Sequence, residues 1–414
     1  MNRNVIIEEP GVGKTLFATP CFDLYIIDHE RLKRFSPALF SKMETVRVRI
    51  LASPESTENS EQARSSRMTR AITSDYETGR LLAGDREDIE RSLEAWADIP
   101  VDMTLMSDAP AHPASCQTTL AGPVHVTGPG TYTAKSVSTL YFEPQRGRQE
   151  GWWFDRVDNR RQLPIRVSVR NVWTTARNIV LRSGAPHNYV RMVEHIIALR
   201  LGLGLDNVLI KMDSGDPPLF NEGSFDIVRA IEKTGIVEIP ERPLTYWRVK
   251  EPLTIGGRNG SVLTLLPPVG DSRGLYVDCA IDFPTAIGKQ RIQFDLVPES
   301  FRYGARARTN CSRAMMIYCK TLGKCFADIR NLGYTSENIL VAGRNGYANR
   351  PRMMHEGKSL EAVWHRATLD LVAALSLVET GRLAGRIFSY KAGHTLDAEL
   401  VTQLYLEDLL EEIK

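Results

Sequence analysis

The sequence has few cysteines and no pair of them in a CxxC spacing; six are scattered along 414 residues. This argues against a disulfide framework or a cysteine zinc knuckle and predicts a reducing compartment, the cytoplasm. No apolar run approaches the roughly 18 to 20 residues that a membrane-spanning helix needs. Neither charge dominates, since 52 basic residues stand against 50 acidic ones. The composition therefore gives no reason to expect nucleic acid or an anionic membrane as a partner.

Residues 1–114 differ from the rest in their sequence pattern and are predicted to be an N-terminal extension of unknown role. Within them, Pro10–Thr15 is similar to a phosphate-binding loop, but the first glycine of that motif is replaced by Glu8. A carboxylate there would repel phosphate, so we interpret the segment as a structural turn rather than a nucleotide site. The apolar spacing over Asp85–Trp96 predicts an amphipathic helix. Pro110 and Pro113 are typical of a linker.

From Thr118 onward, strand-like and helical patterns occur in two successive rounds. A hairpin is predicted around Gly128–Gly130, and helices over Val190–Leu201 and Phe225–Thr234. Further strands follow up to Leu296, and then helices. The pattern predicts an α+β fold with two similar units, 115–242 and 243–414, each a sheet layered with helices.

Two segments bring together residues that could bind a metal ion. Glu194 and His195 are adjacent at the start of an apolar helical segment, so one could bind the ion while the other takes a proton from water. His365 and Asp370 share the helical segment Leu360–Leu377 but are five residues apart, which separates them by about 140° on a regular α-helix. A π-bulge would align them, and such bulges are frequent at functional sites. On spacing alone, a packed structural helix is the favoured alternative.

A third segment, Tyr390–His394, offers two cations after a strand. Gly393 is predicted to let the backbone turn so that His394 points into a cleft. A cation there could stabilise an oxyanion or protonate a leaving amine.

Five segments carry a shared pattern in a fixed order: Gly128–Tyr132, Met192–Asn207, Pro217–Ser224, Ala305–Thr309 and Ser389–His394. Taken together, the chain from Thr118 to Lys414 resembles the zinc-dependent UDP-3-O-acyl-N-acetylglucosamine deacetylases of lipid A synthesis. The resemblance implies two α+β domains in a β-α-α-β sandwich, with helices facing each other across the active site. It also implies hydrolysis of the acetamide of a UDP-linked, acylated amino sugar on the way to lipopolysaccharide.

The same resemblance implies roles for individual residues. Zn²⁺ would be bound by His195, His365 and Asp370. Glu194 would be the general base for the attacking water, and Thr309 would hydrogen-bond the oxyanion.

Three cations complete the implied site. His394 would be the acid and electrostatic partner, and Lys391 would contact the diphosphate of the substrate. Arg366 takes the place of a lysine in the family and would keep a cation facing the phosphates.

The chain departs from the family pattern in its second metal-binding helix. One extra residue lies near Thr368, and a second aspartate, which orients the catalytic histidine in the family, is Ala374. In an alignment without that gap, Arg366 would occupy a ligand position, and arginine cannot bind zinc. The chain is predicted to be a zinc hydrolase of full or weakened activity. Because of these departures, the alternative is a catalytically degenerate relative that binds a nucleotide sugar or a protein.

Overall fold

The structure is a computed structural model, and it describes residues 78–107, 113–132, 136–147, 149–159, 162–325, 331 and 333–413, together with three N-terminal strands. Residues Met1–Arg70 and Ala71–Lys414 form separate units. In the first unit, strands β1 (Val5–Glu8), β2 (Lys14–Thr19) and β3 (Phe22–Asp28) pair in an antiparallel sheet in that order. Residues 10–13 of the predicted turn lie outside the described residues.

The larger sheet of the second unit has seven strands: β4 (Arg80–Ala83), β5 (Met103–Leu105), β17 (Leu253–Gly256), β18 (Val262–Leu266), β19 (Leu275–Phe283), β20 (Gly288–Asp295) and β26 (Gly385–Tyr390). Their order is β4-β17-β18-β26-β19-β20-β5. Every residue of β18 is buried, as expected for an apolar strand inside a sheet.

Helix α1 (Arg86–Ala97) packs against β17, β18 and β26 and confirms the predicted amphipathic helix. The Asp85 carboxylate caps it by accepting hydrogen bonds from the N–H groups of Glu87 and Asp88. Residues 80–105 therefore contribute a helix and two edge strands to a sheet built mainly from residues 253–390. The prediction of one extension over residues 1–114 did not anticipate this contribution.

The second sheet contains the strands β7 (Val124–Pro129), β8 (Val137–Pro144), β9 (Trp152–Arg156), β10 (Ile165–Arg166) and β14 (Val208–Met212) in the order β10-β9-β14-β8-β7. Strands β7 and β8 pair antiparallel, with Gly128 opposite Ser138, which confirms the predicted hairpin. The other described strands form small sheets of two or three strands. They are β6 (Cys116–Leu120), β11 (Val172–Thr174), β12 (Val180–Arg182), β13 (Tyr189–Val190), β15 (Ile236–Pro243), β16 (Tyr246–Val249), β21 (Thr309–Ser312), β22 (Ile339–Ala342), β23 (Met354–His355), β24 (Lys358–Ser359), β25 (Arg382–Leu383) and β27 (Leu410–Glu412).

The remaining helices are α2 (Glu194–Gly202), α3 (Phe225–Thr234), α4 (Pro298–Gly304), α5 (Arg313–Lys320), α6 (Glu361–His365), a π-helical segment (Arg366–Leu371), α7 (Val372–Leu375) and α8 (His394–Leu406). Helix α3 has the predicted bounds and ends at Gly235, whose φ of 92° lies in the left-handed region that favours glycine.

Helices from distant parts of the chain meet beside the seven-stranded sheet. Helix α2 packs against both the π-helical segment and α7, and the π-helical segment packs against β19. This brings the segment that begins at Glu194 next to the one that contains His365. The mixed α+β class is confirmed, whereas the division into two similar domains stays a prediction. In the part of the chain that the structure describes, no helix has the length and apolarity needed to cross a membrane.

Candidate active site

Six of the eight predicted site residues line one cleft of about 350 Å³. They come from four stretches of the chain that are far apart in sequence, so the cleft exists only in the folded chain. These residues are Glu194, His195, Thr309, His365, Asp370 and His394.

Glu194 is the first residue of α2, where the positive end of the helix dipole favours a carboxylate. Its Oε2 accepts a hydrogen bond from the backbone N–H of Ile179 at 3.0 Å. Burial raises the pKa of Glu194, and the nearby His394 partly opposes that effect. Met192, two residues earlier, has a φ of 50°, an uncommon value for a residue with a side chain. The carboxylate is thus positioned by a backbone turn, a helix start and one hydrogen bond.

The Thr309 hydroxyl lies between two imidazoles. Its Oγ1 is 3.1 Å from Nε2 of His195 and 2.9 Å from Nε2 of His365, and the ring centroids are 5.1 Å apart. Burial, helped by the neighbouring His365, lowers the pKa of His195 to about 3, so its imidazole is neutral. Two Nε2 atoms from separate helices therefore face one small region of the cleft.

The helix that contains His365 is irregular between His365 and Asp370, where their five-residue spacing required a departure from a regular α-helix. Residues Arg366–Leu371 form a π-helix, which confirms the hypothesis of a π-bulge between His365 and Asp370. The wider turn absorbs one extra residue, and Oδ1 of Asp370 lies 3.5 Å from Nδ1 of His365. The five-residue spacing is therefore compatible with both side chains facing the cleft.

Asp370 also approaches His394, with its Oδ1 3.7 Å from Nε2 of that imidazole. Burial alone would raise the pKa of Asp370, but His365 and His394 outweigh it and hold that pKa far below its usual range. The carboxylate is therefore ionised. Its buried Oδ1 accepts no hydrogen bond from any described residue.

These donors fit Zn²⁺ in chemical type, because zinc binds neutral imidazole and ionised carboxylate. The buried Oδ1 of Asp370 without a hydrogen bond is consistent with a cation-binding role. Among the described residues, however, no three acidic, histidine or cysteine side chains stand close enough together to form a metal site as placed. At His365, Oδ1 of Asp370 lies beside Nδ1 while Nε2 faces the Thr309 hydroxyl.

His394 begins α8, and Gly393 before it is extended, with φ of −147°. The prediction that Gly393 supplies a sharp turn is therefore wrong. The left-handed turn lies at Lys391, whose φ is 52° although it carries a side chain. Lys391 is exposed, and its backbone N–H donates to the Ala280 carbonyl at 3.2 Å.

Arg366 does not face the cleft. Its guanidinium is buried and donates through Nη2 to Oδ1 of Asp397, with Ser389 Oγ at 3.4 Å. The Asp397 carboxylate outweighs the effect of burial and raises the pKa of Arg366. This position does not support the predicted contact with a phosphate.

A buried ion pair that was not predicted from the sequence joins two sides of the cleft. Arg308, next to Thr309, donates from Nε to Oε1 of Glu361 at 2.6 Å, and from Nη2 to Oε2 at 3.1 Å. Glu361 lies four residues before His365, so the pair ties the strand of Thr309 to the helix of His365. The only signal in the sequence was the second of the two arginines in Ala305–Thr309, and its partner could not be inferred from spacing.

This chain is similar to known proteins over most of its length. Residues 117–406 match the model of the family described as UDP-3-O-acyl N-acetylglycosamine deacetylase. A UDP-3-O-acyl-N-acetylglucosamine deacetylase from Citrifermentans bemidjiense is 31% identical over 291 residues, 70% of this chain and 88% of the relative. One from Trichormus variabilis is 30% identical over 294 residues, covering 70% of this chain and 98% of the relative. The chain belongs to the UDP-3-O-acyl N-acetylglycosamine deacetylase family.

Proposed function

We propose that this protein is a zinc-dependent amide hydrolase that removes the acetyl group from a UDP-3-O-acyl-N-acetylglucosamine-like substrate, a cytoplasmic step of lipid A synthesis. The observation that carries the proposal is the meeting of Glu194, His195, Thr309, His365, Asp370 and His394 in one cleft. The names of the related deacetylases support the substrate class.

The metal ion would be held by His195, His365 and Asp370. When bound, Zn²⁺ supplies a Lewis acid that polarises a carbonyl and makes water more acidic. Glu194 accepts the proton of the attacking water, and its burial suits this role because a carboxylate with a raised pKa is a stronger base.

The remaining side chains stabilise the negative charge of the developing oxyanion, protonate the leaving amine and contact the diphosphate. The Thr309 hydroxyl can donate a hydrogen bond to the developing oxyanion. His394 faces the cleft carboxylate through Nε2 and can give a proton to the departing nitrogen. Lys391 is exposed three residues before His394, where its ammonium can contact a diphosphate.

The test measures metal content and hydrolysis in the same preparations. Purified protein is expected to contain one zinc per chain and to release acetate from UDP-3-O-acyl-N-acetylglucosamine, tried with several acyl lengths. His195→Ala should lose the zinc. Glu194→Gln should keep the zinc while hydrolysis falls by about 10²- to 10⁴-fold, the usual contribution of a positioned base.

Two matched variants outside the cleft serve as controls: His187→Ala and Glu241→Gln, both at exposed positions. Neither should change metal content or rate. A wild type that is folded, free of zinc after growth in zinc and inactive on every acyl length would contradict the proposal. Binding of the UDP-sugar without hydrolysis would then indicate the nucleotide-sugar-binding alternative.

A further inference from the structure

Three hydrogen bonds hold the backbone turn that leads into Glu194. Oδ1 of Asn178 accepts one from the N–H of Met192 at 3.2 Å. The Ile179 carbonyl accepts another from the N–H of Val193 at 3.3 Å. The third runs from the Ile179 N–H to Oε2 of Glu194 at 3.0 Å. Two consecutive residues therefore bind the three consecutive residues that end at the proposed base, and a side chain on the first of the two supplies one of the bonds.

The bond from Asn178 stabilises a conformation that the backbone disfavours. Met192 has a φ of 50°, where the Cβ of an L-residue crowds a carbonyl oxygen. Met192 is also 4% exposed, so an N–H without an acceptor would be costly there. The Asn178 amide supplies that acceptor two residues before Glu194. Its loss would let the turn relax and the carboxylate move with it.

The Asn178 amide is in turn oriented by Tyr132. Nδ2 of Asn178 donates to the Tyr132 hydroxyl at 3.2 Å, while Oδ1 accepts from Met192. The fully buried Tyr132 ring lies against the guanidinium of Arg191, 3.6 Å from the ring centroid, and Arg191 donates through Nε to Oδ1 of Asp216 at 2.5 Å. Arg191 directly precedes Met192, so these contacts return to the same turn. Tyr132 and Asn178 therefore form one connected unit with this turn.

We propose that Asn178, oriented by the Tyr132 hydroxyl, is a positioning residue for Glu194: it fixes the turn at Met192 and thereby the direction of the carboxylate. The inference rests on the proposed function, since it assigns a support to the base of that reaction. Asn178 and Tyr132 both line the cleft, but their role is to hold the carboxylate in place. The role of Asn178 could not be predicted from the sequence, because its two side-chain partners lie 46 and 14 residues away.

The kinetic test uses Asn178→Leu, which has nearly the same size but no hydrogen-bonding group. We expect kcat to fall about 10- to 100-fold, as when the support of a catalytic group is lost, while KM changes less than about two-fold and zinc content stays the same. A role in holding the substrate would raise KM instead. A folded Asn178→Leu variant with wild-type kcat, or with a raised KM alone, would overturn the inference.

A double variant shows whether Asn178 acts through Glu194. The base is absent in Glu194→Gln, so adding Asn178→Leu should leave the residual rate unchanged within about two-fold. The same fractional loss in both backgrounds would mean that Asn178 acts independently of Glu194, and the inference would be wrong.

Tyr132→Phe is a milder change that decides the question should Asn178→Leu fail to fold. It removes the hydroxyl that accepts from the amide, and kcat should fall about 2- to 10-fold, the effect of one hydrogen bond. Tyr405→Phe is the matched control, since its hydroxyl accepts a hydrogen bond from the Glu379 N–H at 2.7 Å outside the cleft lining. The control should keep wild-type kcat. Equal kcat in the two variants would contradict the inference.

Amide hydrogen exchange measured by NMR separates this inference from the proposed function, because it needs no substrate. The N–H of Met192 should exchange at least about 10-fold faster in Asn178→Leu than in the wild type, since its acceptor is lost. Asn207→Leu is the control: this buried asparagine accepts from the Gly151 N–H at 2.8 Å, and its loss should leave the Met192 rate unchanged. An unchanged Met192 rate in Asn178→Leu would overturn the inference even in an active hydrolase. Faster exchange in a protein that hydrolyses no substrate would instead refute the proposed function, while the hold of Asn178 on the turn would stand.

Discussion

The two walls of the cleft differ in how their polar atoms are satisfied. On the N-terminal wall, formed by Glu194 and His195 at the start of α2, the carboxylate accepts a backbone hydrogen bond and the imidazole faces the Thr309 hydroxyl. On the C-terminal wall, formed by His365, Asp370 and His394, the helix is π-helical and buried atoms of Asp370 and His394 make no hydrogen bond within the described chain. Buried polar atoms are rarely left in this state unless a ligand or ordered water binds them. The polar side chains of the first wall therefore have hydrogen-bonding neighbours within the chain, whereas the second wall keeps buried polar atoms that a bound ligand would satisfy.

The largest effect should come from removing the carboxylate of the C-terminal wall. Asp370→Ala should abolish zinc binding and reduce hydrolysis by about 10³-fold or more, beyond the 10- to 100-fold typical of an outer-shell partner. The substitution removes the oxygen proposed to bind zinc, and it also removes the negative charge beside the imidazoles of His365 and His394. Metal analysis and acetate release check this, with Asp213→Asn as a carboxylate outside the cleft lining for comparison. Full zinc occupancy in Asp370→Ala would remove Asp370 from the ligand set.

The sequence allowed the N-terminal wall to be predicted more fully than the C-terminal one, and local periodicity is the reason. The apolar pattern after Val190 depends on nearby residues and predicted a helix over Val190–Leu201, and the helix found there begins four residues later, at Glu194. The π-helix could be proposed only because the spacing of His365 and Asp370 demanded it. It packs against α2, a contact that no single segment encodes.

Partners from distant segments were beyond the reach of the sequence. Arg366 was predicted to face a phosphate, but Asp397, 31 residues away, draws it into the interior. The left-handed turn was assigned to Gly393 from residue type, whereas the fold places it at Lys391. In both cases tertiary contacts overrode a local preference.

The next effect concerns what holds the C-terminal wall in place. Glu361→Ala leaves the Arg308 guanidinium buried without its carboxylate, both side chains being at most 2% exposed. Loss of one partner of a buried pair should lower the free energy of unfolding by about 3–5 kcal/mol. Chemical denaturation measures it. The exposed pair of Arg248 and Glu411 provides the control, and Glu411→Ala should change little. Equal losses in both variants would mean that the buried pair has no special role.

Deleting one residue tests whether the π-helix only accommodates an extra residue in the helix. Removing Thr368, which is fully buried, should leave a regular α-helix with His365 and Asp370 four residues apart and still on one face. We expect zinc binding to persist and the unfolding free energy to fall by about 1–3 kcal/mol from lost packing. Removing Ala362 from the regular helix α6 instead should rotate both ligands and prevent folding. Loss of zinc in a folded Thr368 deletion would show that the π-turn itself aligns the ligands.

The smallest effect concerns backbone strain beside the cleft. Lys391→Ala and Lys391→Gly remove the same charge, so both should raise KM for the UDP-sugar if the lysine contacts its diphosphate. They differ in conformation, because at a φ of 52° glycine avoids the clash of Cβ with the carbonyl oxygen that alanine meets. The free energy of unfolding of the glycine variant should therefore be about 1 kcal/mol higher than that of the alanine variant. Chemical denaturation of both variants in parallel measures this difference. An alanine variant as stable as the glycine one would mean that the turn at Lys391 carries no strain, and that the lysine occupies it at no conformational cost.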